Sequence, residues 1–285
     1  MTVYAALIVD LKRSRDYQPE RRSALQSYLV ELTDELNRLF CDSLERELRF
    51  SGGDELQGLF RSPSAAWLCL RLLRRTIHPV AFHAGLGVGE WVARTPERDT
   101  FFQDGPVYHR ARAALEAAKG ETDCPALANT GGDLDPALNA ILNGSLLLTA
   151  QNTAHQNLLA LLLECLYPLF PLEEGLHLEA LPELLQRMEE WAGFTDYLIG
   201  RQSKRPYVLF EAARRLQKTD TAMDSYPLRI GPEGTYAAAH PRGAASAVAE
   251  AAGLKRQAVD TALRASKAYT ERALALAGLD ILRRF

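Results

Sequence analysis

The run VYAALIVD at residues 3–10 constrains the fold most. It shows no polar alternation, so it reads as a strand buried on both faces rather than one lying on a wet sheet. It ends on an acid, Asp10, which puts a carboxylate at the rim of an otherwise apolar element.

The segments that follow supply the neighbours such a strand needs. Residues 19–40 open with a proline and carry Leu25, Leu29, Leu32, Leu36 and Leu39 at helical spacing. Residues 46–51 and 55–60 read as two strands joined at Gly52-Gly53, a hairpin signal. SPSAAWLCLRLLRRTIH offers a serine cap, a proline and a helical apolar stripe. PVAFHAGLGVGEW alternates like a strand, GPVYHRARAALEAAK reads as a helix, and CPALANTGG as a short strand and turn.

The order β-α-β-β-α-β predicts a ferredoxin-like, α+β domain: an antiparallel sheet with helices packed on one face. From Leu134 onward the pattern is helical almost throughout, apart from an irregular stretch at 219–243. The chain therefore divides into a sheet domain over 1–130 and an all-α domain over 131–285, with the boundary near 129–133. No internal repeat or low-complexity segment is visible.

Composition excludes several classes. At 285 residues and 47% hydrophobic the chain can bury a large core, and its length suggests about two domains. A net charge of −3 means that nucleic-acid binding would require a local basic patch. Cys41, Cys69, Cys124 and Cys165 are scattered without a C-x-x-C pair. That argues against a zinc site or a disulfide framework and fits a reducing, cytoplasmic setting. No signal peptide is apparent at the N-terminus. The most apolar tract, 157–172, is interrupted by Glu164, Pro168 and Pro171, so it predicts a buried helix and no membrane span.

The hairpin RFSGGDELQGLF (49–60) places Asp54 at a turn beside the end of the first strand. Asp10 and Asp54 could then meet, and two carboxylates repel unless a cation lies between them. Oxygen ligands suit Mg²⁺, which usually shares its shell with phosphates. Gly52 and Gly53 permit the close backbone approach that a phosphate needs, and Lys12 and Ser14 follow the first strand where they could meet phosphate oxygens. The plainer alternative is a solvated acidic turn. His83, Glu90, His109 and Lys119 are further polar candidates near the same sheet.

SGGDEL after a strand, with IVDLKRS on the first, resembles the palm-like core of class III nucleotide cyclases and GGDEF diguanylate cyclases. That resemblance implies metal-ligand roles for Asp10 and Asp54. GPVYHRARAALEAAK is similar to a cyclase helix, which implies a phosphate-facing role for Arg112. Two positions depart from the pattern: the cyclase asparagine is Tyr108, and an often basic position is Phe50. These departures weigh against cyclisation chemistry. The fuller resemblance is to the SatD family of small bacterial proteins, through ALIVDLKRSR, GDELQGLF, GLGVGE and DGPVYHRAR, and many members end in a helix-turn-helix.

AASAVAEAAGLKRQAVDTALRAS (244–266) has the spacing of such a motif: Ala249, Gly253 and Val259 at the helix contact, the turn and the second helix. Lys255, Arg256, Gln257, Asp260 and Thr261 would lie at the start and outer face of the recognition helix, where bases and phosphates are met. An alanine-rich hairpin for protein contact is the alternative. In the last segment, Tyr269, Leu276 and Leu279 fall on one helix face, as a dimer element or a brace, and Gly278 could end or bend that helix.

Three functions follow from these motifs. The favoured one is a regulatory protein that binds a nucleotide with Mg²⁺ and, as a homodimer, binds DNA. The others are an active nucleotide cyclase or polymerase-like enzyme, and an interaction protein with degenerate sites.

Overall fold

The computed structural model describes residues 2–12, 17–51, 55–92, 105–169, 177–198 and 236–285. Five strands, β1 (Tyr4–Leu11), β2 (Leu44–Ser51), β3 (Glu55–Phe60), β4 (Phe82–Gly89) and β5 (Ala126–Asn129), form one sheet in the order β2-β3-β1-β4-β5. Helices α1 (Pro19–Leu39), α2 (Pro63–Thr76) and α3 (Pro106–Gly120) connect them. The chain continues through α4 (Asp135–Ala150), α5 (Ala154–Leu166), α6 (Leu181–Leu198), α7 (Ala244–Ala252), α8 (Arg256–Ala265) and α9 (Ala268–Leu282). The class is α+β.

β1 sits third in the sheet, as its unbroken apolar run requires, and pairs antiparallel with both β3 and β4. β5 joins β4 in parallel, so the sheet is mixed rather than purely antiparallel. The helices also divide between the two faces. Ala5, Leu7 and Val9 pack with α1 and α2, whereas Ala6 and Ile8 pack with Val107, Ala111 and Leu115 of α3. The expectation of helices on one face therefore gives way to a sheet covered on both.

Gly85 and Gly87 are the physical reason. A Cβ on Gly85 would lie 2.0 Å from the Ala111 carbonyl oxygen, and one on Gly87 would lie 2.2 Å from that of Val107. Two alternate glycines remove every side chain from this stretch of the strand face, and α3 seats directly on β4.

α1 buries the leucine stripe read from its spacing. Ser62 caps α2 by accepting from the Ala65 amide. Tyr28 of α1 stacks on Trp191 of α6 at 4.2 Å between ring centres. One hydrophobic core runs from Ala5 to Leu282 without a break near residue 130. α9 is a brace: it packs against α2 and α4, and it continues through Gly278 to Leu282. A Cβ on Gly278 would meet Leu142 at 3.0 Å and the Trp67 ring at 3.2 Å, so this glycine serves close approach, not termination.

A cluster of five charged side chains lies inside this helical layer. Arg71 and Arg75 of α2, Glu164 of α5, and Glu271 and Arg272 of α9 are all 2% exposed or less. Arg71 Nη2 donates to Glu164 at 2.7 Å and to Glu271 at 2.6 Å. Arg272 also donates to the carbonyls of Tyr167 and Ala238, and Ser145 donates to Glu271. Glu164, which interrupts the apolar 157–172 tract, is thus the buried partner of two arginines. No described helix is long and apolar enough to cross a membrane.

Candidate functional site

The C-terminal end of β1 carries the charged side chains that the sequence singled out. The face covered by α3 includes Ala6, Ile8 and Asp10, and strand register places Glu55 of β3 and His83 of β4 beside Asp10. α3 runs over this end and contributes Arg112 and Lys119. Lys119 Nζ lies 3.0 Å from Asp10 Oδ2. Arg112 grips Glu55 with both terminal nitrogens, one contact being 2.9 Å, and Gln57 also donates to Glu55.

Each described acid at this end is therefore matched by a cation on α3. The group is only partly buried, with side-chain exposures of 32% for both Asp10 and Lys119, 19% for Glu55 and 45% for Arg112.

The electrostatics follow from that geometry. Burial alone would raise the Glu55 carboxyl, but the Arg112 and Gln57 hydrogen bonds and the charges of Arg112 and Lys119 outweigh it and hold it below its ordinary range. The Glu55 hydrogen bond raises Arg112. Burial works to lower Lys119, yet its bonds to Asp10 and Glu116 leave it raised. Burial and the charges of Lys12 and Lys119 lower His83, and burial with Arg74 lowers Lys12. A cluster of basic groups thus surrounds the two carboxylates, Asp10 and Glu55, at the strand end.

Of the residues predicted from sequence, Asp10, Lys12, His83, Arg112 and Lys119 fall in this region. Ser14, Gly52, Gly53 and Asp54 lie outside the described residues. Glu55, which immediately follows Asp54, is the acid in register with Asp10, and the sequence reading passed over it. Strand pairing was the signal: counting the hairpin outward from its turn sets Glu55 opposite Ser51 and one strand away from Asp10. Tyr108, at the position of the cyclase asparagine, is buried, and burial pushes its phenol well up.

A second exposed surface lies on α8. α7 ends at Gly253, whose left-handed φ of 66° turns the chain, and the Leu254 amide donates back to the Ala249 carbonyl at 2.9 Å. Ala249 and Val259 are buried, as their spacing predicted. Lys255, Arg256, Gln257 and Thr261 are exposed, while Asp260 is half-buried and pairs with Arg264 at 2.8 Å.

The family model of the SatD family matches residues 4–169. The chain belongs to the SatD family. The SatD match covers the whole sheet and extends through α4 and α5, so it includes Asp10, Glu55, Arg112, Lys119 and the buried Glu164. α7 and α8 lie beyond it. No curated protein matches the chain.

Proposed function

We propose that this SatD-family chain is a regulatory binding protein, taking a nucleotide phosphate at the end of β1 and DNA on the outer face of α8. One observation carries the first half. Asp10, Glu55, Arg112 and Lys119 converge on a partly open sheet end. Arg112 and Lys119 are the phosphate partners, since a guanidinium and an ammonium held at carboxylates can exchange one oxyanion for another.

The carboxylate oxygens of Asp10 and Glu55 suit a hard cation. With Asp54 they would hold Mg²⁺, which would neutralise phosphate charge there. Without an asparagine at Tyr108 to orient the nucleotide, binding rather than cyclisation is the expected activity.

The second half rests on exposure. Lys255, Arg256, Gln257 and Thr261 occupy the first turns of a helix that turns only Val259 and Leu263 inward. A helix presented in this way can enter a major groove.

Calorimetric titration of the full chain with each nucleoside triphosphate and Mg²⁺ tests the nucleotide site. Binding that Asp10→Ala and Arg112→Ala each abolish supports it, and heat-silent titrations with all four would overturn it. Incubation of the same mixtures should yield no cyclic product; turnover would favour the cyclase reading instead.

A further inference from the structure

Three different metal-ligand types meet at the end of α1, away from both surfaces described above. Cys41 Sγ, a carboxylate oxygen of Asp42 and a ring nitrogen of His177 all lie within 4.8 Å of one another. Asp42 Oδ2 is 3.0 Å from His177 Nε2, and Cys41 Sγ is 3.7 Å from Asp42 Oδ1. The backbone fixes this meeting: the His177 amide donates to the Leu39 carbonyl at 2.9 Å, and Arg61 donates to the Asp42 carbonyl at 2.8 Å.

An independent feature concerns the other ring nitrogen. His177 Nδ1 lies 2.9 Å from Glu179 Oε1. A carboxylate behind a histidine orients the ring and sets its tautomer, leaving the far nitrogen as the ligand atom, and metal-binding histidines nearly always donate that second ring N–H to a carboxylate, a backbone carbonyl or a water. Here the far nitrogen is the one that faces Asp42.

We propose that Cys41, Asp42 and His177 form a binding site for a borderline-soft divalent cation of the zinc type, with Glu179 as the outer carboxylate. Thiolate and imidazole favour such ions over Mg²⁺, so this site is chemically distinct from the acids at the end of β1. Zinc takes sulfur at about 2.3 Å and nitrogen or oxygen at about 2.0–2.2 Å, which small side-chain rotations would provide here. Three protein ligands leave the fourth tetrahedral position open, and the exposure of Cys41 and Asp42 directs it to solvent. Binding releases the Cys41 thiol proton, and the His177 Nε2 proton when that ring is charged. Cysteine spacing carries no sign of this site, because it uses a single cysteine and a histidine 135 residues from Asp42.

The cysteines provide a direct test, since Cys41 is exposed and the other three are buried. The full chain, stripped with a chelator, is titrated with Zn²⁺ while alkylation of Cys41 is followed. One zinc ion per chain is expected, with alkylation strongly slowed at stoichiometric metal. Glu179→Gln should weaken binding by about 10–100-fold, and Cys41→Ser and His177→Ala by at least as much. Alkylation indifferent to zinc, or zinc held as tightly by His177→Ala as by the parent chain, would overturn the proposal.

Discussion

Two clusters in this molecule use the same residue types to opposite ends. Under the helical layer, Glu164 and Glu271 meet Arg71, Arg75 and Arg272 with almost no exposure. At the end of β1, Asp10 and Glu55 meet Lys119 and Arg112 with a fifth to nearly half of each side chain in solvent. A buried charge cannot exchange partners without leaving another charge stranded, so the first cluster locks α2, α5 and α9 together. A half-exposed pair can release its partner to water or to a ligand at small cost, so the second cluster remains available for chemistry. Burial, more than residue identity, separates a fixture from a site.

The difference predicts unequal responses to mutation. The largest belongs to Glu271, which accepts from Arg71, Arg75 and Ser145. Glu271→Ala strands the buried Arg75 guanidinium and leaves Arg71 with Glu164 alone, and should destabilise the fold by about 3–5 kcal/mol, read from urea unfolding. A loss below 1 kcal/mol would show that the buried cluster is no lock.

Acid should weaken the same lock. Burial alone would raise the Glu164 carboxyl, but Arg272 and Arg71 bring it down from 4.5 to about 2. The unfolded chain therefore takes up this proton first. The contribution of Glu164 is whole above pH 4.5 and disappears as pH falls toward 2. Unfolding titrations of the parent chain and Glu164→Gln should diverge above pH 4.5 and converge toward pH 2.

DNA affinity comes next. Lys255→Ala with Arg256→Ala should reduce binding and flatten its salt dependence by a slope of about 2, one per lost phosphate contact, without shifting the unfolding midpoint. A gel shift unchanged by this pair removes α8 as the contact surface.

The smallest stability effect is expected at the open cluster. Arg112→Ala should alter stability by no more than about 1 kcal/mol while abolishing nucleotide binding. A large stability loss there would erase the contrast between the two clusters.

Local signals predicted much of this architecture. The leucine spacing of α1, the serine cap of α2, the hairpin and the apolar β1 all appear as read, because each depends on residues close in sequence. The prediction failed where contact depended on distant segments. Helices on one face was the natural expectation, yet GLGVG carries alternate glycines that admit α3 to the other. The pairing of Asp10 with Lys119 and of Glu55 with Arg112 needed the register between β1 and β3 and the position of α3 above it. Glu164 looked like an interruption of an apolar tract, because its arginine partners lie 93 and 108 residues away.

The sequence by itself determined the element order, the central place of β1 and the presence of an acid at the end of a buried strand, since periodicity and local capping encode these, and its motifs carried the family resemblance. Tertiary structure alone decided which cation each acid meets, which charges are sealed from water, and that Cys41, Asp42 and His177 share one corner. Those outcomes depend on distances between segments far apart in the chain, and such distances are set by packing.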